Sequence, residues 1–337
     1  MSAVFDVAVQ SPAPQDDRAR QAAFSHAAFA HDVLAGLAQP HKSIPCTWLY
    51  DRRGSELFEQ ITQLAEYYPT RTERLILERC VTQIAQAAGP GATVVELGSG
   101  SSRKTPLLLG ALEAPAAYLP IDISEQYLKE SVRVLQAHFP RMAIHPVVAD
   151  FTQLNTLPEL ARVPRTSPSG RRVVFFPGST IGNFTPDAAV ALLDRIGQAV
   201  GPDALMVVGA DPTQDPAVLV PAYDDRRGVT AAFNKNLLVR INRELGGNFS
   251  LSAFRHEARW NAEHQRIEMH LVSECTQRVT VLGRSVIIAA GESIHTENSY
   301  KYGLVKFQAM ARRAGWSHRQ FWTDGQSRFA VHVLERD

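Results

Sequence analysis

The chain has 337 residues, of which 45% are hydrophobic and 20% charged, enough apolar material for one large domain or two ordinary ones. Its 35 basic and 34 acidic side chains leave a net charge of +1, so no global field favours nucleic acid or an acidic membrane. Three scattered cysteines without a C-x-x-C pair argue against a disulfide framework or a zinc site. Since neither a membrane span nor a secretory signal is recognisable, we expect a cytoplasmic protein whose partner is a small molecule, not nucleic acid or a membrane.

The first part of the chain predicts a lead-in followed by helices. Residues 1–19 mix proline, glutamine and charges, which is typical of a loosely ordered segment. Helical periodicity follows at residues 20–38, 54–64 and 70–88, and the last helix is ended by the Gly89-Pro90 pair.

From residue 92 the pattern changes to strands that alternate with helices. Five apolar strands are predicted at 92–98, 116–124, 143–151, 171–179 and 203–211. The helix between the last two has Thr185 as its cap. Because each strand is apolar on both faces, the sequence predicts a parallel, doubly wound α/β sheet.

Between residues 213 and 298 this alternation breaks down. An amphipathic helix, NKNLLVRINRELGGNF, is followed by short strands that alternate apolar and polar residues, which predicts an α+β insertion. A helix, KYGLVKFQAMARRAGW, and two late strands, HRQFWTD and FAVHVLER, then return to the main sheet. We therefore predict a large α/β domain, 20–212 with 299–337, and a smaller α+β domain, 213–298.

The loop after the first strand, ELGSGSSRKT, is the most informative motif. Gly98 and Gly100 fill the first two positions of the dinucleotide fingerprint G-x-G-x-x-G, but Arg103 stands at the third, which counts against NAD. An acidic residue followed by G-x-G resembles motif I of class I methyltransferases that use S-adenosylmethionine (SAM). A plain turn between a strand and a helix is the alternative.

Polar residues also end the next two strands. Asp122 ends the second strand, where a carboxylate can accept hydrogen bonds from both ribose hydroxyls. Asp150 and Phe151 end the third, and they suit the amino group and the ring of adenine. Lys104 offers a cation to a methionine carboxylate, or else is a solvated lysine at a helix start. Because ligands bind at the carboxyl ends of strands in open α/β sheets, this pattern predicts an adenosyl pocket.

Seven segments together resemble one enzyme family: WLYDRRGSELFEQIT, EYYPTRTE, ELGSGSSRKT, PIDIS, FFPGSTIGNF, AYDDRRGVTAAFNKNLLVRINRELGGNF and IHTENSYKY. They are similar to the histidine-specific Nα-methyltransferases of ergothioneine biosynthesis, which convert L-histidine to its trimethylated betaine, hercynine. The resemblance runs from about residue 40 to the C-terminus. It implies an α/β fold with a Rossmann-like class I methyltransferase sheet, a second, smaller α+β substrate-binding domain, SAM as cofactor and no metal.

Carried over residue by residue, the resemblance implies two groups of site residues. The cofactor contacts are Tyr50, Gly98, Lys104, Asp122, Asp150 and Phe151. The amino-acid pocket is formed by Tyr67, Asn183, Tyr223, Met269, Glu297 and Ser299. In the family's pattern Asn183, with Tyr67 nearby, faces the amine, and both residues act in catalysis. Tyr223 helps hold the carboxylate, and Glu297 with Ser299 binds the imidazole. Met269 has the alternative of being an ordinary core residue.

The chemistry of methyl transfer suits these residue types. The amine must be neutral and held in line with the methyl group, but its pKa near 8 requires no powerful base. The amide oxygen of Asn183 and the phenol oxygen of Tyr67 can both accept hydrogen bonds from an amine. Glu297 can accept from a ring N–H, and Ser299 can donate or accept, so both nitrogens of an imidazole find partners.

Three other functions stay open at this point. The protein can be a methyltransferase of the same family for another amino acid such as a dimethylallyltryptophan, an NAD oxidoreductase, or a non-catalytic module that senses the cofactor. The 11 histidines show no metal-binding spacing such as H-E-x-x-H. No long apolar stripe requires a partner chain, so we expect a monomer.

Overall fold

The computed structural model describes residues 14–154, 156–163 and 170–336. Its first helix begins at Pro14, earlier than the helix predicted from residue 20. The part of the predicted lead-in before that helix lies outside the described residues. Within the described ranges, no helix combines the length and the apolar character that crossing a membrane requires.

Helices and strands alternate along most of the described chain. Its α-helices are α1 (Pro14–Leu37), α2 (Arg52–Ile61), α3 (Tyr68–Ala88), α4 (Thr105–Ala111), α5 (Glu125–His138), α6 (Pro158–Arg162), α7 (Pro186–Val200), α8 (Pro216–Tyr223), α9 (Val229–Leu245) and α10 (Leu304–Arg313). Its strands are β1 (Thr93–Leu97), β2 (Ala117–Asp122), β3 (Ala143–Ile144), β4 (Val147–Val148), β5 (Arg172–Phe176), β6 (Leu205–Ala210), β7 (Phe254–Asn261), β8 (Arg266–Ser273), β9 (Gln277–Val281), β10 (Arg284–Ile288), β11 (Ser293–Tyr300), β12 (Trp316–Thr323) and β13 (Ala330–Arg336).

The largest sheet has the strand order β12-β13-β6-β5-β1-β2-β3, and β4 also pairs with β2. Strands β1 to β6 pair in parallel, whereas β13 joins β6 and β12 joins β13 in antiparallel pairs. Neighbouring residues of β1 enter different cores: Val94 packs with residues of α3 and α4, and Val95 with residues of α7 and α10. The prediction of a parallel, doubly wound sheet is confirmed, and both late strands return to it as expected.

The third predicted strand is the least accurate of the five. The sequence predicts one strand over 143–151, but the structure has two separate two-residue strands, β3 and β4. His145 still donates its N–H to Tyr118 O at 2.9 Å. Pro146 follows it and has no N–H, so the ladder is interrupted at that residue.

The smaller sheet has the order β11-β8-β7, and β9 and β10 form a separate hairpin. Helix α9 is capped by Gly246, whose φ of 59° provides the left-handed cap that the sequence predicts. Helix α8 was not predicted. Its sequence, PAVLVPAY, is apolar around the whole helix and contains Pro221, so it has no amphipathic period to recognise.

The N-terminal helices pack differently from the prediction. Phe29 of α1 and Leu57 of α2 share one core with Phe233 of α9 and Leu271 of β8, whereas the sequence assigns both helices to the large domain. Strand β11 also continues to Tyr300, slightly beyond the predicted boundary. Amphipathic periodicity tells which face of a helix is buried but not which partner covers it, so the assignment of α1 and α2 could not come from the pattern.

Candidate active site

One cavity lies where the carboxyl ends of the main strands face β11 of the smaller sheet. Of the predicted site residues, those that line it are Tyr50, Tyr67, Gly98, Lys104, Asp122, Asp150, Phe151, Asn183, Tyr223, Glu297 and Ser299. Met269 is not among the lining residues. Apart from Met269, the structure thus brings both predicted groups of residues to a single cavity.

The glycine turn after β1 has a backbone that only glycine adopts readily. Gly98 has a φ of 64° and Gly100 a φ of 49°, both in the left-handed region. A Cβ atom on Gly98 would lie 3.4 Å from Cε1 of the Phe151 ring, so a side chain there would fill the space over the turn. Asp122 accepts hydrogen bonds from Gly100 N and Ser124 N, each at 2.9 Å, and burial raises its pKa. This carboxylate therefore positions the turn as well as facing the cavity.

Glu96, the acidic residue of the motif, stabilises the glycine turn through hydrogen bonds to the elements around it. Its Oε2 accepts hydrogen bonds from Thr105 Oγ1 at 2.7 Å and from Tyr118 Oη at 2.5 Å. Burial raises the pKa of Glu96 to about 7, although both hydroxyl groups favour the charged form. Glu96 thereby connects β1 with β2 and with the start of α4.

Lys104 is ion-paired and is not the solvated lysine of the alternative interpretation. It pairs with Glu73 of α3, whose side chain is 1% exposed. Glu73 also accepts hydrogen bonds from Gly178 N at 2.9 and 3.0 Å, so it connects α3, the glycine turn and the loop after β5. The sequence analysis missed Glu73, yet it shares the apolar face of α3 with Ile76 and Leu77, three and four residues later. A carboxylate on the apolar face of a helix was the feature of the sequence that could have identified Glu73.

Asp150 and Phe151 form the wall of the cavity beside β4. Asp150 Oδ1 accepts hydrogen bonds from Thr152 N at 2.8 Å and Thr152 Oγ1 at 2.7 Å, which fixes the 3-10 turn that follows. The Phe151 ring contacts Phe176 and Phe184 edge-on, with ring centroids 5.5 and 6.3 Å apart. The phenylalanine is thus an immobilised apolar surface next to a carboxylate.

Asn183 lies near β11 because the backbone of its turn packs closely against the backbone of that strand. It ends the 3-10 turn Thr180–Asn183 after β5. A Cβ atom on Gly182 would lie 2.7 Å from Tyr300 O, so only glycine lets this turn lie against β11. Ser179, just before the turn, has a φ of 58°, and its Oγ accepts a hydrogen bond from Asp211 N at 3.1 Å. A strained non-glycine residue held by a hydrogen bond is often found at functional sites.

Two tyrosines and two residues of β11 form the other end of the cavity. The rings of Tyr67 and Tyr223 meet edge-on with centroids 6.0 Å apart. Burial raises the pKa of both phenols, so both are neutral at physiological pH. Tyr223 Oη and Ser299 Oγ are hydrogen-bonded at 2.7 Å. Glu297 lies two residues before Ser299 on the same strand.

Glu297 brings an unsatisfied acceptor to this end of the cavity. Its Oε2 is buried and has no hydrogen-bond partner among the described residues. Burial raises the pKa of Glu297 to about 7, and the positive charge of Lys301 opposes this shift. A buried carboxylate oxygen without a partner costs free energy unless a ligand donates to it.

A buried lysine, Lys301, lies behind these residues and was missed by the sequence analysis. It is 0% exposed and donates hydrogen bonds to Asp211 Oδ2 at 3.0 Å, Tyr223 Oη at 2.9 Å and Ser299 Oγ at 2.8 Å. Tyr68 Oη also donates to Asp211 Oδ2, at 2.5 Å. Two signals were present in the sequence: Lys301 continues the period of two set by Glu297 and Ser299, and Asp211 directly follows β6.

Met269 lies in the core rather than on the cavity surface. Its side chain is 2% exposed and belongs to the core shared by α9 and the smaller sheet. On β8 it is the register partner of Glu297 on β11. Met269 therefore supports the strand that carries Glu297, in line with the core interpretation that the sequence leaves open.

Glu268, His270 and His295 form a separate cluster whose ligand atoms lie within 4.8 Å of one another. Glu268 already receives hydrogen bonds from Arg266 Nε at 2.8 Å and His270 Nε2 at 3.0 Å. Burial lowers the pKa of both histidines, that of His270 to about 4. Because a guanidinium already occupies the carboxylate, the arrangement is a hydrogen-bonded cluster of the smaller sheet.

Similarity to known proteins agrees with this geometry. Residues 29–336 match the protein family described as histidine-specific methyltransferase, SAM-dependent. The histidine N-alpha-methyltransferase of Mycolicibacterium smegmatis is 41% identical over 314 residues, which cover 92% of this chain and 95% of the relative. Ergothioneine biosynthesis protein 1 of Neurospora crassa is 28% identical over 299 residues, 88% of this chain but 33% of the relative. The 4-dimethylallyltryptophan N-methyltransferase of Aspergillus fumigatus is 26% identical over 323 residues, 90% of this chain and 92% of the relative. The protein therefore belongs to the family of histidine-specific, SAM-dependent methyltransferases.

Proposed function

We propose that the protein transfers three methyl groups from SAM to the α-amine of L-histidine and so forms hercynine for ergothioneine biosynthesis. The observation that carries the choice of histidine is the buried, unpartnered Oε2 of Glu297, a residue that lines the same cavity as Ser299 and the glycine turn. An imidazole N–H is a donor that would satisfy this oxygen, and an indole ring has no second nitrogen for Ser299.

We propose that SAM binds over the glycine turn. The residues that hold it are Tyr50, Gly98, Lys104, Asp122, Asp150 and Phe151. The absent side chain at Gly98 leaves space against Phe151, and Asp122 and Asp150 offer carboxylates to the ribose and to the adenine amino group. Lys104 Nζ gives a cation for the methionine carboxylate, while Glu73 fixes its direction. Bound there, SAM supplies a methyl group that is activated by the positive charge on sulfur.

Asn183 and Tyr67 are proposed as the catalytic pair that orients the substrate amine. The amide oxygen of Asn183 accepts a hydrogen bond from the amine and directs its lone pair along the cavity. Tyr67 stays protonated because burial raises its pKa, so it orients the amine instead of acting as a strong base. One proton leaves the nitrogen for each methyl group added. Removal of that proton needs no powerful base, because the pKa of an α-amine lies near 8.

The remaining proposed contacts fix the rest of the histidine molecule. Tyr223 holds the carboxylate, whereas Glu297 and Ser299 bind the two ring nitrogens from one face of β11. Met269 contributes indirectly, because it supports the strand that carries Glu297, its register partner. The smaller domain, with β11 included, therefore supplies the ring-binding end of the cavity and the large domain supplies the cofactor end.

We also propose that the enzyme works in the cytoplasm as a monomer, with small molecules as its only partners. The net charge of +1 supports the choice of small-molecule partners, because it gives no general attraction to polyanions.

Mass spectrometry of the products tests the proposed function directly. The purified enzyme is incubated with SAM and each of the twenty amino acids, and separately with 4-dimethylallyltryptophan. We expect trimethylated histidine as the main product, together with S-adenosylhomocysteine. Methylation of the tryptophan derivative with histidine untouched would assign the other substrate, and binding of SAM without any turnover would leave only a sensing role.

A further inference from the structure

Glu73 is a buried carboxylate that contacts two segments of the cavity wall although it is not itself among the lining residues. Its side chain is 1% exposed. It pairs with Lys104, and it accepts a hydrogen bond from Gly178 N in the loop that leads to Asn183. Lys104, Gly178 and Asn183 all line the cavity. The inference drawn from Glu73 rests on the proposed function, because it takes Lys104 as the contact of the methionine carboxylate and Asn183 as the contact of the amine.

The space around Glu73 fits a carboxylate. A Cβ atom on Gly209 of β6 would overlap with Oε1 of Glu73, so the strand has a glycine where a side chain would displace the carboxylate. Gly178 has a φ of 84°, and its N–H lies 2.9 Å from one carboxylate oxygen and 3.0 Å from the other. A Cβ atom on Gly178 would lie 3.7 Å from Lys104 Nζ, so the loop backbone is also close to the ammonium group.

Lys104 depends on Glu73 for its counter-charge. The side chain of Lys104 is 14% exposed, and that of Glu73 is 1% exposed. An ammonium group has three hydrogens, so the bond to Glu73 leaves two that can face a ligand in the cavity. Removing one partner of an ion pair with so little exposure leaves the other charge poorly solvated. Glu73 therefore fixes where the positive charge of Lys104 is presented.

The same carboxylate anchors the turn that contains Asn183. The loop after β5 donates Gly178 N to Glu73, and the next residue, Ser179, accepts a hydrogen bond from Gly182 N at 2.8 Å through its carbonyl oxygen. Asn183 follows Gly182 directly and ends the 3-10 turn. Because only a short, hydrogen-bonded turn separates the two residues, the place of Asn183 depends on where Gly178 is held.

We propose that Glu73 is a positioning residue that holds the Lys104 ammonium group and the Asn183 turn in one fixed relation. Lys104 places the methionine part of SAM, and Asn183 places the amine. Methyl transfer requires the donor carbon and the nitrogen in line, so a single carboxylate that fixes both contacts also fixes their alignment. Glu73 touches neither ligand and acts through these two residues.

The contact through Lys104 is tested with two ligands that differ in their amino-acid part. S-adenosylhomocysteine contains the carboxylate, whereas 5′-methylthioadenosine keeps the adenosine and the sulfur and has no amino-acid part. Calorimetric titration gives the ratio of their dissociation constants, which we expect to be about 100 in the unaltered enzyme. Because Glu73 acts on this ratio through Lys104, the ratio should fall by about tenfold in Lys104→Met, in Glu73→Gln and in the variant with both substitutions. The affinity for 5′-methylthioadenosine should change less than about twofold.

The contact through the Asn183 turn is tested without any charge at the pair. Lys104→Met is combined with Glu73→Gln in one variant and with Glu73→Met in another. Glutamine and methionine have similar lengths, but only glutamine offers Gly178 N a strong acceptor. At saturating SAM and amino acid we expect kcat to be about tenfold lower with Glu73→Met, since the turn loses its anchor and the amine its alignment.

Ile76→Val is the control for a general loss of stability. Ile76 lies three residues after Glu73 on α3, is 1% exposed and is not among the residues that line the cavity. Thermal unfolding should show a less stable protein, whereas the ligand ratio and kcat should stay unchanged. If Glu73→Gln alone does not fold, the variants with both substitutions replace it, because they leave no unpaired charge in the interior.

Each other outcome overturns a definite part of the argument. Affinities for both adenosine ligands that fall by the same factor would make Glu73 a purely structural residue. Tighter binding of S-adenosylhomocysteine by Glu73→Gln would mean that Glu73 competes with the cofactor for Lys104. Equal kcat values for the two double variants would mean that the Asn183 turn does not need Glu73. Any of these results overturns the inference, whereas methylation of another amino acid in place of histidine would refute the proposed function alone, since both comparisons can be made with that substrate.

Discussion

The two ends of the cavity are organised in different ways. At the cofactor end the carboxylates already accept backbone hydrogen bonds close by in the sequence, as Asp150 does from Thr152 N, or hold the glycine turn, as Asp122 does through Gly100 N. At the substrate end the polar groups come from distant segments, and one of them, Glu297 Oε2, has no partner among the described residues. The carboxylates Asp122 and Asp150 of the proposed cofactor end thus order the backbone beside them, whereas the proposed substrate end depends on contacts between side chains of distant segments and retains one acceptor without a partner among the described residues.

The largest expected effect follows from removing that open acceptor. We expect Glu297→Ala to raise the KM for histidine about a hundredfold, because the ring N–H would be buried without the charged partner that it needs. SAM affinity should change less than about twofold, since Glu297 lies on β11 of the smaller sheet whereas the glycine turn follows β1 of the large one. Steady-state kinetics with histidine and calorimetric titration with SAM measure the two effects. Equal losses of both affinities would contradict a division of the cavity into two ends.

Substitution at the opposite end should give the reverse pattern. We expect Asp122→Ala to weaken SAM binding about thirtyfold, because two ribose hydroxyls lose their acceptor. The free energy of unfolding should also fall by about 1–2 kcal/mol, since Gly100 N and Ser124 N lose their partner. Asp122→Asn, which keeps one acceptor oxygen, is the matched control and should recover part of both losses. A rise in the KM for histidine that exceeds the loss of SAM affinity would place Asp122 at the wrong end.

The residues of the proposed cofactor end follow more directly from the sequence pattern than those of the proposed substrate end, for a physical reason. The glycine turn and the residues that end β2 and β4 lie next to the elements that position them, so local patterns are sufficient. The same local rules failed at Pro146, which interrupts the third strand, and at α8, whose helix is apolar all round. Neither error moves the cavity, because the strand ends remain where the predicted sheet puts them.

The residues of the proposed substrate end were predicted only through the resemblance to a family. The local sequence pattern alone would describe Glu297 as an exposed acidic residue on a strand. The position of its strand opposite the turn that contains Asn183 depends on the close backbone approach at Gly182. Lys301 and Glu73 were missed because each acts on a residue far away in the sequence, on Tyr223 and Lys104 respectively. Buried charges on otherwise apolar or alternating faces are the pattern that marks such residues.

The pH dependence of histidine binding sharpens the contrast between the two ends. Burial raises the pKa of Glu297 to about 7, so the carboxyl of the free enzyme is protonated below that pH and charged above it. The ring N–H needs the charged form, hence kcat/KM for histidine should fall by up to about tenfold for each pH unit below 7, in addition to the effects of substrate protonation. In Glu297→Gln the slope of log kcat/KM against pH should decrease by about one. Glu96 has a pKa in the same range but is unchanged in both enzymes, so an unaltered slope would contradict the assignment to Glu297.

The smallest effect is expected at Met269, where the predicted pocket and the observed core disagree. Met269 is 2% exposed and touches the cavity only through its register partner Glu297, so a residue of similar volume should serve as well. We expect Met269→Leu to change the KM for histidine less than about threefold and to cost less than about 1.5 kcal/mol of unfolding free energy. Met269→Ala should instead cost about 2–5 kcal/mol, because it leaves a cavity behind β11. Since a core residue affects the ligand only through stability and strand position, a tenfold rise in KM for Met269→Leu at unchanged stability would put the methionine in direct contact with the ring.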